Sequence, residues 1–241
     1  MKALIMAAGM GSRISRHLSG KPKCCVKIND QELIQYTFDL LNRKGINDIA
    51  IVTGYGEQCI LEALKSFKFK KYTNHFFDVT NSLASAWFAV DYLNDKDDMI
   101  VMNADVFVEE QVIDVLLNES MSPVFLSDSS RISEADYKFN WSDNKLINYG
   151  KELSPEETTG EYVGIARINK NHVAFMKTKL QMFINEQQHG LWWEDLFYRS
   201  LSEQNVFVKN INGLFWAEVD YIEDYERIQA YLSAKKQSAG E

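Results

Sequence analysis

The N-terminal segment constrains this chain most. A short apolar run from Ala3 to Ala8 is followed by Gly9-Met10-Gly11-Ser12-Arg13 and then, after a spacer, by Lys21-Pro22-Lys23. A run of that length reads as a buried strand. Glycines after it let backbone N–H groups close on phosphate oxygens, and Arg13 and Lys23 add positive charge. The segment therefore predicts an anion cradle for a nucleoside triphosphate, formed by Ala7, Ala8, Gly9, Gly11, Ser12, Arg13 and Lys23. A plain strand with a flexible glycine turn is the bland alternative, and the two cations argue against it.

Two better-known phosphate loops fit less well. The dinucleotide fingerprint wants a third glycine where Ile14 stands, with a helix opening directly. A P-loop wants Ser or Thr after Gly20-Lys21, where Pro22 stands, and a glycine where Ser15 stands. The pattern A-A-G-x-G-S-R followed by K-P-K instead resembles the start of the nucleotidyltransferases that join a nucleoside triphosphate to a phosphorylated small molecule, releasing pyrophosphate.

Composition bounds the remaining possibilities. The 241 residues fit one large α/β unit over 1–233, and 46% hydrophobic content supplies a core. The polar stretch 234–241 is expected to be a disordered tail. A formal charge of −8 argues against a general nucleic-acid binder, which needs a basic face. Cys24, Cys25 and Cys59 give neither a disulfide framework nor a C-x-x-C metal pair, so they read as thiols of a reducing cytoplasm. No apolar stretch is long enough for a membrane span.

Strand-like and helix-like patterns alternate along the first half. Asp30 is placed to cap a helix with Ile34, Phe38 and Leu41 on one face and Gly45 as its stop. Ile49 to Val52 reads as a strand, Glu57 to Phe67 as helix, His75 to Phe77 as a strand end, Ser82 to Leu93 as helix, and Met99 to Met102 as a strand. Such alternation predicts a mostly parallel mixed sheet covered by helices on both faces, and the resemblance implies that this is a Rossmann-like nucleotidyltransferase fold. After Asp105 the rhythm changes. Strand candidates at 123–126, 137–141, 145–149 and 162–168 predict a small antiparallel excursion, and helices return at 171–187, 193–202 and 222–232.

In such sheets the ligand lies beyond the carboxyl ends of the strands, which singles out the residues just after each one. Asp105, in Asn103-Ala104-Asp105, could hold Mg²⁺ against triphosphate oxygens or serve as a turn residue. In Glu218-Val219-Asp220, alternation puts both carboxylates on one side of a strand, though Asp220 could equally cap the helix that follows. Asn81, Ser82 and Ser85 lie at a helix start, able to reach a base edge, and Asn81 is also an ordinary cap. Gly54-Tyr55 could wall the nucleoside.

Over nearly the whole chain the order A-A-G-x-G-S-R, K-P-K, K-G-I-N-D-I, a V-G-Y-like turn, N-A-D and W-x-E-x-D is similar to the bacterial cytidylyltransferases that activate phosphocholine or 2-aminoethylphosphonate, and to related sugar-phosphate enzymes. The resemblance implies Asp105 and Asp220 as ligands of Mg²⁺ and the segment around Asn81 as the base contact. It implies CTP and a small phosphorylated amine as substrates. Tyr162, Trp192, Trp193 and Trp216, with Glu194, Asp195 and Glu218, would then hold the cationic headgroup, because ammonium groups bind over ring faces. Trp193 also fits the core face of a helix. Lys23 would bridge the α-phosphate and the incoming anion, and Arg13 would hold the leaving pyrophosphate. A sugar-1-phosphate nucleotidylyltransferase and a catalytically silent nucleotide-binding module remain the alternatives.

Overall fold

Alternation along β1 (Lys2–Ala7) sets the architecture: Ala3, Ile5 and Ala7 enter one core, Leu4 and Met6 another, so both faces of the strand are covered. The structure, a computed structural model, describes residues 1–11 and 20–239. Ser12 and Arg13 lie outside the described residues.

After β1 the chain makes a small hairpin, β2 (Lys27–Ile28) and β3 (Gln31–Glu32), and enters α1 (Leu33–Arg43). The cap of α1 is Glu32, which accepts from the helix while the Gln35 side chain accepts the Glu32 N–H. Asp30 falls in the hairpin turn beside Asn29, whose φ is 55°, so the helix starts later than expected. Then come β4 (Asp48–Thr53), α2 (Glu57–Ala63), β5 (Lys70–Thr73), α3 (Ser82–Phe88), β6 (Met99–Asn103), β7 (Val106–Val108) and α4 (Glu110–Leu117). His75 to Phe77 belong to the loop after β5 rather than to a strand end.

The second half supplies β8 (Val124–Asp128), β9 (Lys138–Ser142), β10 (Lys145–Gly150), β11 (Gly160–Ile168), α5 (Lys170–Asn185), α6 (Asp195–Tyr198), β12 (Phe207–Asn210), β13 (Trp216–Glu218) and α7 (Ile222–Ala239). Nine strands form one sheet in the order β5-β4-β1-β6-β11-β8-β12-β10-β9. β1 runs parallel to β4 and β6, whereas β11 is antiparallel to β6 and β8, which is the expected excursion. Helices α1, α2 and α4 cover one face; α3, α5 and α6 cover the other.

Two of the late helices also differ from expectation. Helix α6 is a short turn of Asp195–Tyr198, with Trp193 and Leu196 packed into the core. Helix α7 continues to Ala239, past the position where a disordered tail was expected. Its polar turns are tied down by Tyr231 Oη donating to Glu109 and by Lys235 donating to the Tyr231 oxygen. Among the described residues no helix is long and apolar enough to cross a membrane.

Candidate functional site

A pocket of about 420 Å³ opens at the carboxyl ends of β1 and β6, where a doubly wound sheet places its ligand. Ala7, Ala8, Gly9 and Gly11 line it, with Lys23 packed against the loop. Gly11 has φ +59°, and a Cβ there would come within 2.6 Å of the Lys23 side chain, so only glycine lets the lysine stem cross the loop. Gly54 and Tyr55 do not line the pocket. A Cβ on Gly54 would meet the Ala8 carbonyl at 2.8 Å, and the Tyr55 N–H donates to that same carbonyl at 3.1 Å. The expected nucleoside wall is thus a brace behind the cradle loop.

The Lys23 ammonium donates to Asp105 Oδ2 at 3.2 Å and to Asp220 Oδ1. Residues far apart in sequence meet here because β13 pairs with β7, setting Glu218 opposite Val106, and the Val219 N–H donates to the Asp105 carbonyl at 2.9 Å. Carboxylate oxygens of Asp105, Glu218 and Asp220 lie within 4.8 Å of one another. Burial opposes the charge on Lys23, but Asp105, Asp220 and Glu218 together outweigh it and hold its pKa above the ordinary lysine value. Burial, reinforced by Asp105 and Asp220, pushes the Glu218 carboxyl well above the usual range. Three hard oxygen donors at this spacing suit a divalent cation such as Mg²⁺.

Thr80, Asn81, Ser82 and Ser85 line the opposite side with Phe77. The backbone N–H groups at the start of α3 are already used: Asn81 N donates to His189 O and Leu83 N to Leu191 O, while Asn81 Oδ1 caps Ser82 N. Hydroxyls therefore line the pocket on this side. Sequence reasoning missed Asn74, 1% exposed, which organises them; a polar residue just after a strand was the available signal.

The late aromatics divide. Trp193 is fully buried, stacks on Phe125 and donates from Nε1 to Asn103 Oδ1 at 3.2 Å; Trp216 is buried and donates to Asp128 Oδ2 at 2.9 Å. Neither lines the pocket, which corrects their expected place in a headgroup cage. Both indoles complete core packing with their N–H groups satisfied. Asp195 is also withdrawn from the pocket, its carboxylate accepting the Trp192 N–H and facing Arg199. Trp192, Tyr162 and Glu194 do line it, joined by Tyr137, Asp136, Lys151 and Tyr198. Tyr137, Asp136 and Lys151 come from the excursion flanking β9 and β10, and nothing in their local sequence marked them. Truncating Trp193 to alanine is expected to cost about 3–5 kcal/mol of stability. Trp192→Ala should shift the melting temperature little, because that ring is 38% exposed.

Glu194 is buried, and this pushes its pKa up to about 8, opposed by the Asn103 amide, which donates to Oε1 at 3.5 Å. A carboxyl raised in the folded state stays protonated where the unfolded chain has ionised. Stability is then lost as pH rises from the unfolded value near 4.5 to about 8 and levels off above it. Glu194→Gln should remove that loss. Thermal melts at pH 5 and pH 9 test it, with the variant expected to gain on the parent by a few kcal/mol at the higher pH.

Residues 3–135 match the MobA-like NTP transferase domain family, more than half of the chain, and the protein belongs to that family. It is a nucleotidyltransferase. Among curated relatives it is similar to the CTP:phosphoglutamine cytidylyltransferase of Campylobacter jejuni, 26% identical with 94% of this chain and 98% of that one covered. It is also similar to the choline-phosphate cytidylyltransferase of Streptococcus pneumoniae, 24% identical with 96% and 98% covered. Among solved structures, the CTP:phosphocholine cytidylyltransferase from Streptococcus pneumoniae shares the fold at a TM-score of 0.78 and 20% identity, over 96% of this chain and 98% of that one.

Proposed function

We propose that the protein transfers a cytidylyl group from CTP to a small phosphorylated or phosphonylated amine, such as phosphocholine or 2-aminoethylphosphonate, releasing pyrophosphate. The observation that carries this reading is the Lys23–Asp105–Glu218–Asp220 cluster lining one pocket together with the glycine loop. Relatives that cover nearly the whole chain and are named cytidylyltransferases support CTP and a phosphorylated acceptor.

Asp105 and Asp220 would hold Mg²⁺, which when bound supplies positive charge against the triphosphate oxygens. The glycine loop accommodates the phosphates, and Arg13, outside the described residues, is assigned to the pyrophosphate end. Lys23 places its ammonium where the attacked α-phosphoryl group and the incoming anion meet, neutralising charge that grows during attack. The acceptor's phosphate oxygen is already ionised, so no side chain need remove a proton. Trp192, Tyr137 and Tyr162 form the part of the pocket suited to an ammonium headgroup, by ring face, and a bound cation would favour ionisation of the raised Glu194 carboxyl beside them.

Pyrophosphate release, measured for CTP, UTP, GTP and ATP against phosphocholine, 2-aminoethylphosphonate and sugar phosphates, tests the reading. Highest kcat/KM is expected for CTP with an aminated acceptor. A greater kcat/KM for an uncharged sugar phosphate would assign the protein to sugar activation, and no turnover with any pair would leave it a binding module.

A further inference from the structure

We infer that the acceptor carries a carboxylate beside its ammonium group, as a phosphorylated or phosphonylated amino acid does, and that Lys151 binds that carboxylate. The inference rests on the reading above and narrows its acceptor class. Among the described residues that line the pocket, the cations are Lys23 and Lys151. Lys23 is committed to Asp105 and Asp220. Lys151 has no part in that cluster, yet it lines the same pocket, with its ammonium 2.7 Å from Asp136 Oδ2.

This pair stands at the aromatic end of the pocket. Asp136 precedes Tyr137, whose ring meets that of Trp192 edge-on at 5.3 Å; Lys151 follows two residues after Tyr149, whose ring lies 4.6 Å from that of Tyr198. The backbone beneath Asp136 is fixed. Its N–H donates to Glu161 Oε1 at 2.7 Å, and the Tyr162 N–H donates to the Tyr137 carbonyl at 2.9 Å. A lysine beside rings that would hold a cation is out of place for an acceptor whose only charge at that end is an ammonium. Asp136 cancels its charge, so what the pair presents to a ligand is a dipole. A zwitterion laid antiparallel to it is the complementary partner, with the ammonium over the rings on the Asp136 side and the carboxylate on Lys151. Lys151 has the donors for this, since an ammonium carries three and the bond to Asp136 uses one. Adjusting the pair to a ligand costs little, because both side chains are partly exposed, at 35% and 55%. A quaternary ammonium, by contrast, offers Lys151 no acceptor and Asp136 no N–H.

Two matched pairs of acceptors differ by one carboxylate: O-phosphoserine against phosphoethanolamine, and 2-amino-3-phosphonopropionate against 2-aminoethylphosphonate. With CTP, the carboxylated member of at least one pair is expected to show a kcat/KM about ten-fold higher, through KM, and to exceed phosphocholine. Lys151→Met should abolish that advantage by raising the KM of the carboxylated acceptor about ten-fold. The KM of its partner, the KM of CTP and the melting temperature should stay near the parent values. Lys151→Glu should reverse the preference. The inference is overturned if neither pair shows a carboxylate advantage. It is also overturned if Lys151→Met raises KM equally for both members, which would put Lys151 on the phosphate they share, or lowers it for both, which would make Lys151 a plug on Asp136. Turnover of a sugar phosphate and of none of these amines would instead overturn the reading on which the inference rests, and the inference with it.

Discussion

Replacing Asp105 or Asp220 by alanine is expected to lower Mg²⁺-dependent turnover about a thousand-fold, since a metal clamp supplies several kcal/mol of charge stabilisation in the transition state. Both carboxylates are assigned to the same cation, so the double variant should lose little more than either single one. The fold should survive. Each aspartate sits at the pocket wall beside the Lys23 ammonium, and removing one leaves that ammonium paired with the other. Steady-state kinetics across a Mg²⁺ titration, with melting curves on the same preparations, separates the two effects. Near-normal turnover in both single variants would defeat the metal assignment.

Lys23→Ala is expected to lower kcat about a hundred- to a thousand-fold while changing the KM of the triphosphate far less. Its charge is worth most when the α-phosphoryl group is under attack, and an interaction made mainly in the transition state shows in kcat. Without it, Asp105, Asp220 and Glu218 face one another uncompensated, so metal affinity is expected to rise as turnover falls. Lys23→Arg should not rescue activity, because a planar guanidinium fork does not reproduce the point charge that the ammonium sets between Asp105 and Asp220. An effect confined to KM for CTP would make Lys23 a ground-state binder instead.

How much of this site was legible in the chain follows from the range of each interaction. The glycine cradle, Lys23 and the N-A-D and W-x-E-x-D segments are local patterns, in which residue type and spacing already carry the chemistry. The parallel core was legible for the same reason, since Ala3 to Ala7, Asp48 to Thr53 and Met99 to Asn103 are apolar runs bounded by turns. The late tryptophans were not. Trp192 and Trp193 are adjacent, yet one reaches the pocket and the other stacks on Phe125, a decision made by a strand far away in sequence.

By itself, then, the sequence determined the class of fold, the glycine loop that lines the pocket and the identity of the acidic residues that accompany it, because these depend on periodicity and on short motifs. Tertiary structure alone decided which of them meet. The β7–β13 ladder draws Glu218 and Asp220 to Asp105 and Lys23, and the excursion carrying β9 and β10 brings Tyr137 and Lys151 over the same pocket. It also decided the orientation of the Asn74 amide, which depends on a backbone N–H and two hydroxyls arriving together. The physical reason is common to all three. A buried polar group takes its role from the partners that satisfy it, and those partners come from parts of the chain whose meeting only the packed fold specifies.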